Sequence, residues 1–373
     1  MNRLALRAEM VLRRLLRRPR LDLPLLAALL LLAAMGLFFL ASAADLSWRT
    51  IGAQAARFLL GFAMLYLVSR LPPAQLKRWT PALYAASVLL VALVLVLGEG
   101  RGADRWLDLG VLRFQPSELL KLTMPMMVAW YLAQRPLPPS WRDTGVVLLL
   151  IGVPAVLIAK QPDLGTALLV MMAGGFALFL SGLSLRRIGL MLAVMLALLP
   201  VAWHHLHDYQ RERVLTLLNP ESDPLGTGWH IIQSEIAVGS GGWFGKGWHQ
   251  GTQSRLEFLP EHTTDFIFAV FAEEFGLIGV ILLVALYAFI IGRCLWIAAN
   301  ARDTYSRLLG GALAMSFFVY VMVNGGMITG ILPVVGVPLP LVSYGGTSAV
   351  SLLTGFGVLM SIHAHRKLID SRD

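Results

Sequence analysis

The stretch WHIIQSEIAVGSGGWFGKGWHQGTQSRLEFLPEHTTDFIFAVFAEEFG, residues 229–276, decides how the chain is read. It begins inside a long polar interruption of an otherwise apolar sequence. It then runs without a break into an apolar segment that opens with Asp265. Long excursions in compact proteins are functional or disordered as a rule. This one is too rich in glycine and aromatics, and too poor in charge, to read as disordered. Asp265 stands where loop becomes helix, the first candidate for a catalytic carboxylate.

The rest of the chain sets the solvent. Of 373 residues, 57% are hydrophobic and 14% charged, against roughly 25% charged in an ordinary soluble domain. Such a chain has too little polar surface to cover itself in water, so lipid is its expected solvent. The net charge of +9 does not point to nucleic acid, because seven arginines (Arg3, Arg7, Arg13, Arg14, Arg17, Arg18, Arg20) precede the first apolar run. They read as a positive-inside anchor. The run itself, Leu23 to Ala44, exceeds the roughly 7–15 residues of a cleavable signal core. The single cysteine, Cys294, lies in an apolar run and reads as inert packing.

A membrane-spanning helix needs about 20 apolar residues. Ten segments qualify, near 23–44, 52–69, 81–98, 117–134, 145–160, 163–183, 187–204, 265–298, 307–329 and 343–363. The expected fold is all-α and polytopic, one integral membrane domain over 1–373 with a basic arm at 1–22. With the N-terminus inside, 20 of the 31 lysines and arginines fall on inner segments. That bias predicts both termini in the cytoplasm and the 205–264 loop outside, the periplasmic side in a bacterium.

Several charges sit where anchors avoid them. Glu118 and Lys121 open the fourth segment at i, i+3 and share a helix face. Asp163 opens the sixth, and Glu273 and Glu274 lie two turns into the eighth. Intramembrane charges point to function by default, although a structural Glu118–Lys121 pair, a Ser117 helix cap and first-turn acids at Asp163 and Asp265 are the plain alternatives. From Asn324 to Val350 the chain reads NGGMITGILPVVGVPLPLVSYGGTSAV. Its prolines forbid continuous helix from Pro333 to Pro340. Irregular backbone at membrane depth survives buried in protein or lining a cavity, so a cavity-shaping segment near the outer face is expected, with an ordinary connector as the alternative. The cluster His204, His205, His207 and Asp208 has no trustworthy zinc spacing.

Five motifs in order resemble the SEDS family (shape, elongation, division, sporulation). They are GADRWLDLGVLRFQPSELLKL (102–122), KQPDLGTAL (160–168), NPESDPLGTGWHIIQSEIAVGSGGWFGKGW (219–248), LEFLPEHTTDFIFAVFAEEFGLIG (256–279) and GILPVVGVPLPLVSYGGTSAV (330–350). The GWHQGTQS segment (247–254) and the short basic arm resemble the elongation branch more than the division branch. The resemblance implies a cell-inner-membrane peptidoglycan glycosyltransferase that polymerises lipid II during elongation, an inverting transfer releasing undecaprenyl pyrophosphate. It implies a class B penicillin-binding protein and other elongation-complex membrane proteins as partners, and no nucleic acid. The family's essential aspartate falls on Asp265, and its functional Glu and Lys on Glu118 and Lys121. HTTDF departs from the family's usual spelling, which leaves Asp265 next to Phe266 but unsettles His262.

The chemistry needs a base at the attacking hydroxyl, cations at the pyrophosphate and an apolar path for lipid tails. A carboxylate at headgroup level can take the hydroxyl proton. Candidate cations are Lys121, Arg101, Arg105, Arg211, Arg213, Lys246 and Lys160. Asp163, Gln233, Ser343, Gly345 and Gly346 complete the candidate substrate site within the matching motifs. The sequence holds no DxD pair and no phosphate-binding glycine loop, and a divalent cation such as magnesium is compatible with it. Trp229, Trp243, Phe244 and Trp248 suit either sugar stacking or an interfacial belt. A lipid II flippase and a non-catalytic scaffold are the competing functions, but the buried charges crowd toward the outer half and no inverted repeat is visible.

Overall fold

The computed structural model describes residues 21–97, 107–108, 113–205, 208–223, 226–252 and 263–366. The elements are α1 (Leu23–Ala43), α2 (Trp48–Ser69), α3 (Pro73–Leu97), strands β1 (Leu107–Asp108) and β2 (Arg113–Phe114), then α4 (Ser117–Leu132), α5 (Trp141–Ala159), α6 (Leu164–Leu180) and α7 (Leu185–His205). They continue with α8 (Asp208–Leu218), a 3₁₀ turn at Pro220–Ser222, α9 (Thr227–Ser240), α10 (Ile267–Ala299), α11 (Thr304–Ile328) and α12 (Thr347–Ala364). Each of the ten expected segments holds one of these helices, with the tenth starting at Thr347 rather than 343. Seven of these helices are long and apolar enough to cross a membrane. The other three are α4 with 16 residues, α6 with 17, and α7, which opens with Arg186 and Arg187. Two features lie outside the expectation: the small antiparallel β1–β2 pair, and the helices α8 and α9 that build much of the polar excursion.

Short polar residues start the helices. Asp22 accepts from the Leu25 N–H ahead of α1, Ser140 and Asp143 form a reciprocal capping box on α5, and Asp163 and Asp303 cap α6 and α11. Ser117 does not cap: it is the first helical residue of α4, behind Pro116. Its hydroxyl is buried with no hydrogen-bond partner among the described residues. Helix α11 is the central pillar, packed against α4, α6, α10 and α12, while α12 lies along α2. The core they enclose is built from residues such as Leu120, Met124, Leu309, Phe317 and Leu353. Outward-facing leucines and valines on α2, α5, α7 and α10 are exposed, as expected where lipid replaces water.

Helix α10 is broken. Gly276 takes φ 62°, ψ −166°, a conformation open to glycine. The break frees backbone groups on both sides, and the loop before it fills them. Lys246 and Gly247 donate N–H to the Glu273 and Glu274 carbonyls, each at 3.0 Å. Leu277 and Ile278 donate to the Gly242 and Trp243 carbonyls at 2.9 and 3.2 Å. The stretch from Pro333 to Pro340 is non-helical, as its prolines require.

Candidate active site

The first turns of α4, α6 and α12 meet the last turns of α11 around a cavity of about 460 Å³. Glu118, Lys121 and Gln115 face it from α4 and the residues before it. Asp163 and Thr166 face it from α6, Gln210 and Arg213 from α8, and Tyr320 from α11. Pro333, Val335, Gly336, Val337 and Pro338 form one wall, Gly345, Gly346, Thr347 and Ser348 another, and Asp265 stands between them. The irregular segment thus lines a cavity, as buried non-helical backbone must.

Within the cavity the charges are arranged. Lys121 Nζ donates to Glu118 Oε1 at 2.6 Å, and Ser351 Oγ donates to the other carboxylate oxygen at 2.7 Å. Lys121 Nζ also lies 5.3 Å from the centroid of the Tyr320 ring. Glu118 is therefore held on both oxygens, and the pair presents its ammonium to the cavity. Asp163 accepts from the Thr166 N–H through Oδ1 and from Gln115 Nε2 through Oδ2, both at 3.2 Å. The first turns of three helices border this space, and helix N-termini favour an anionic ligand.

Asp265 sits in a turn at 263–266, before α10 rather than in it. The α10 N-cap is Phe266, with no side-chain cap bond. Asp265 is therefore not the first-turn acid that its position in the sequence allowed. The turn is tied down on both sides. Tyr344 N–H donates to the Thr263 carbonyl at 2.9 Å, and Asn324 Nδ2 donates to the Asp265 carbonyl at 2.9 Å. The carboxylate abuts the irregular wall: a Cβ placed on Gly336 (φ 72°) would lie 3.4 Å from Asp265 Oδ2.

Of the residues picked from sequence, Asp265, Glu118, Lys121, Asp163, Arg213, Gly345 and Gly346 come together here. Of the others, none that the structure describes lines the cavity. Lys246 pairs with Glu273 at 2.6 Å. Arg211 donates to the Trp203 and His204 carbonyls at the end of α7. Gln233 is buried on α9. Ser343 is buried behind the wall, where its hydroxyl accepts from the Leu339 N–H at 2.8 Å. Arg101 and Arg105 lie outside the described residues. Trp243 and Phe244 are 67% and 82% exposed, and Trp248 stacks on Phe38 with ring centroids 5.3 Å apart, so neither group faces the cavity. Gln115, Tyr320 and Ser351 belong to the site and were not singled out. Gln115 was legible as part of QPSE, whereas Tyr320 and Ser351 sit in apolar runs with no local signal.

The Glu118 and Asp163 oxygens accept from Lys121, Ser351, Gln115 and the Thr166 N–H, and no group of three or more His, Cys, Asp or Glu converges among the described residues.

Comparison with known proteins agrees along nearly the whole chain. The cell cycle protein model FTSW_RODA_SPOVE matches residues 22–368. The peptidoglycan glycosyltransferase MrdB of Escherichia coli strain K12 is 52% identical over 349 residues, covering 92% of this chain and 93% of that protein. A probable peptidoglycan glycosyltransferase FtsW of Trichlorobacter lovleyi is 35% identical over 376 residues, covering 96% and 97%. Among solved structures, a chain of a peptidoglycan synthase complex described as coordinating polymerization and crosslinking superposes with TM-score 0.83. It is 35% identical, with 93% of this chain and 98% of that one covered. The rod shape determining protein RodA of Thermus thermophilus superposes with TM-score 0.72 at 31% identity, covering 94% and 98%.

Proposed function

Because this chain belongs to the FtsW/RodA/SpoVE family of cell cycle proteins, we propose that its cavity is a lipid II polymerase site in which Asp265 is the general base. The chain is a multi-pass membrane protein and a peptidoglycan glycosyltransferase, as relatives covering more than nine-tenths of it are named. The observation that carries the finer assignment is the shared cavity of Asp265, the Glu118–Lys121 pair and Arg213 at three helix N-termini.

In the transfer, the acceptor sugar hydroxyl attacks the anomeric carbon of the donor from the face opposite its pyrophosphate. The new C–O bond forms as the old one breaks. The electron pair leaves on the undecaprenyl pyrophosphate oxygen, and the hydroxyl proton passes to the Asp265 carboxylate. Base catalysis of this kind contributes about 10²–10⁴-fold. Lys121, Arg213 and the helix N-termini oppose the charge that develops on the leaving group. Glu118 keeps Lys121 aimed, and Ser351 keeps Glu118 aimed. The cavity would face the periplasm of the inner membrane, supported by the distribution of basic residues, and a class B penicillin-binding protein would be the partner. The likeness to a chain of a peptidoglycan synthase complex supports that partnership.

The test is polymerisation of labelled lipid II by the purified full chain with its partner. Asp265→Asn, which keeps the size and removes the base, is expected to lose at least about 100-fold. Polymer at the wild-type rate from that variant would remove Asp265 from the mechanism. Lipid transport that disappears together with polymerisation would instead favour a flippase.

A further inference from the structure

Asn324 lies on α11, 59 residues from Asp265 and 13 from Val337 in sequence, yet its side chain bonds to both the Asp265 turn and the 333–338 wall. It is fully buried at 0% exposure. Its amide nitrogen donates twice, to the Asp265 carbonyl at 2.9 Å and to the Val337 carbonyl at 2.8 Å. Its Oδ1 is buried with no hydrogen-bond partner among the described residues. A donor that uses both hydrogens while its acceptor goes unused is placed for those two carbonyls, because an unmet buried oxygen carries a desolvation cost. The two carbonyls belong to two different segments, which also meet where Val334 packs against the cluster that holds Phe266. One is the turn that carries Asp265, and the other is the irregular wall, where Gly336 abuts Asp265 Oδ2.

We propose, on the premise that Asp265 is the base, that Asn324 is a positioning residue for the transfer: it sets the Asp265 carboxylate against the 333–338 wall. Neither carbonyl belongs to regular secondary structure, so each needs a partner at membrane depth. A two-donor amide on the rigid pillar α11 supplies both from one point. Leucine has nearly the same size but no donor, and would remove both of these hydrogen bonds between the turn, the wall and α11. A carboxylate moved by about 1 Å can lose on the order of 100-fold in rate without any change in what binds. Asn324 is fully buried and does not line the cavity, so its loss is expected to fall on kcat rather than KM.

The experiment measures kcat and KM for labelled lipid II with the full chain and its partner, for Asn324→Leu, Asn324→Thr and Asp265→Asn. Hydrogen–deuterium exchange is followed on the same samples. Asn324→Leu is expected to lower kcat by roughly 10- to 100-fold with KM changed less than about twofold. Exchange should rise in 263–266 and 333–340 and stay unchanged in α1 and α12. Asn324→Thr, whose hydroxyl satisfies one carbonyl, should recover part of kcat, and it remains informative if the leucine variant does not fold. Wild-type kcat in the folded leucine variant would overturn the assignment. So would equal losses in both variants accompanied by raised exchange throughout, which marks a merely structural role. Full activity of Asp265→Asn would remove the base itself. An inactive Asp265→Asn beside an active Asn324→Leu would remove only the positioning role.

Discussion

Two Lys–Glu pairs in this molecule have the same length and opposite surroundings. Lys121–Glu118 and Lys246–Glu273 both close at 2.6 Å, and in both the glutamate is buried. Around Glu118 the protein leaves space: the ammonium faces a cavity of about 460 Å³ with Asp265 and Arg213 on its rim. The Glu273 carboxylate is fully buried and bound on one oxygen by several donors, Lys246 Nζ, the Thr252 N–H and the Thr252 hydroxyl, and the flanking backbone is zipped to α10. Pair geometry therefore does not distinguish a reactive site from a clamp; the cavity beside the pair does.

The contrast can be broken most sharply at Lys121. Lys121→Met keeps the stem and removes the charge, and should cost on the order of 100-fold in lipid II polymerisation while the protein still purifies folded. A silent Lys121→Met would make the first pair as structural as the second. On the clamp side the expected loss is in stability. Gly276→Ala places a side chain at φ 62°, against the backbone of residues 243–245, and should cost about 2–3 kcal/mol by thermal unfolding in detergent. Glu273→Gln weakens the bonds to Lys246 and Thr252 and should cost about 2 kcal/mol, with the rate per folded molecule within about twofold of wild type. A rate that falls further than stability would give the clamp a part in the reaction.

The smallest effect is expected at a third pair, at the opposite end of the helices from the cavity. Arg293 donates to both Asp22 oxygens at 2.7–3.2 Å. Burial pushes the Asp22 carboxyl up, but the Arg293 hydrogen bonds, the Leu25 N–H and the nearby positive charge hold it below its ordinary 3.8. With the folded value depressed, its stabilisation is present above the unfolded value and lost as pH falls through the folded one. Asp22→Asn should thus lower the unfolding temperature by a few degrees at pH 7, and the gap to wild type should close below about pH 4. A gap that does not change with pH would mean that packing, not charge, holds this end together.

Much of this was legible beforehand for physical reasons. Runs of about 20 apolar residues can do little but form helices in lipid, and the prolines from 333 to 340 can do little but interrupt one. The Glu118–Lys121 pair was legible because i, i+3 spacing is local. What failed was long-range pairing. Lys246 looked like a cation for the leaving group because its partner, Glu273, lies 27 residues away. Ser343 looked like a ligand because its role, holding Leu339 N–H, depends on the path of the LPLVSYGG loop. Asn324 gave no signal, since an asparagine before two glycines reads as a helix end until the carbonyls it reaches are known.

The break at Gly276 also bears on how the protein is assembled. Two amides and two carbonyls of α10 are satisfied by the 242–247 backbone. In hydrocarbon neither half can wait for the other. The N-terminal end of this helix and the 242–247 loop are therefore expected to form as one cooperative unit.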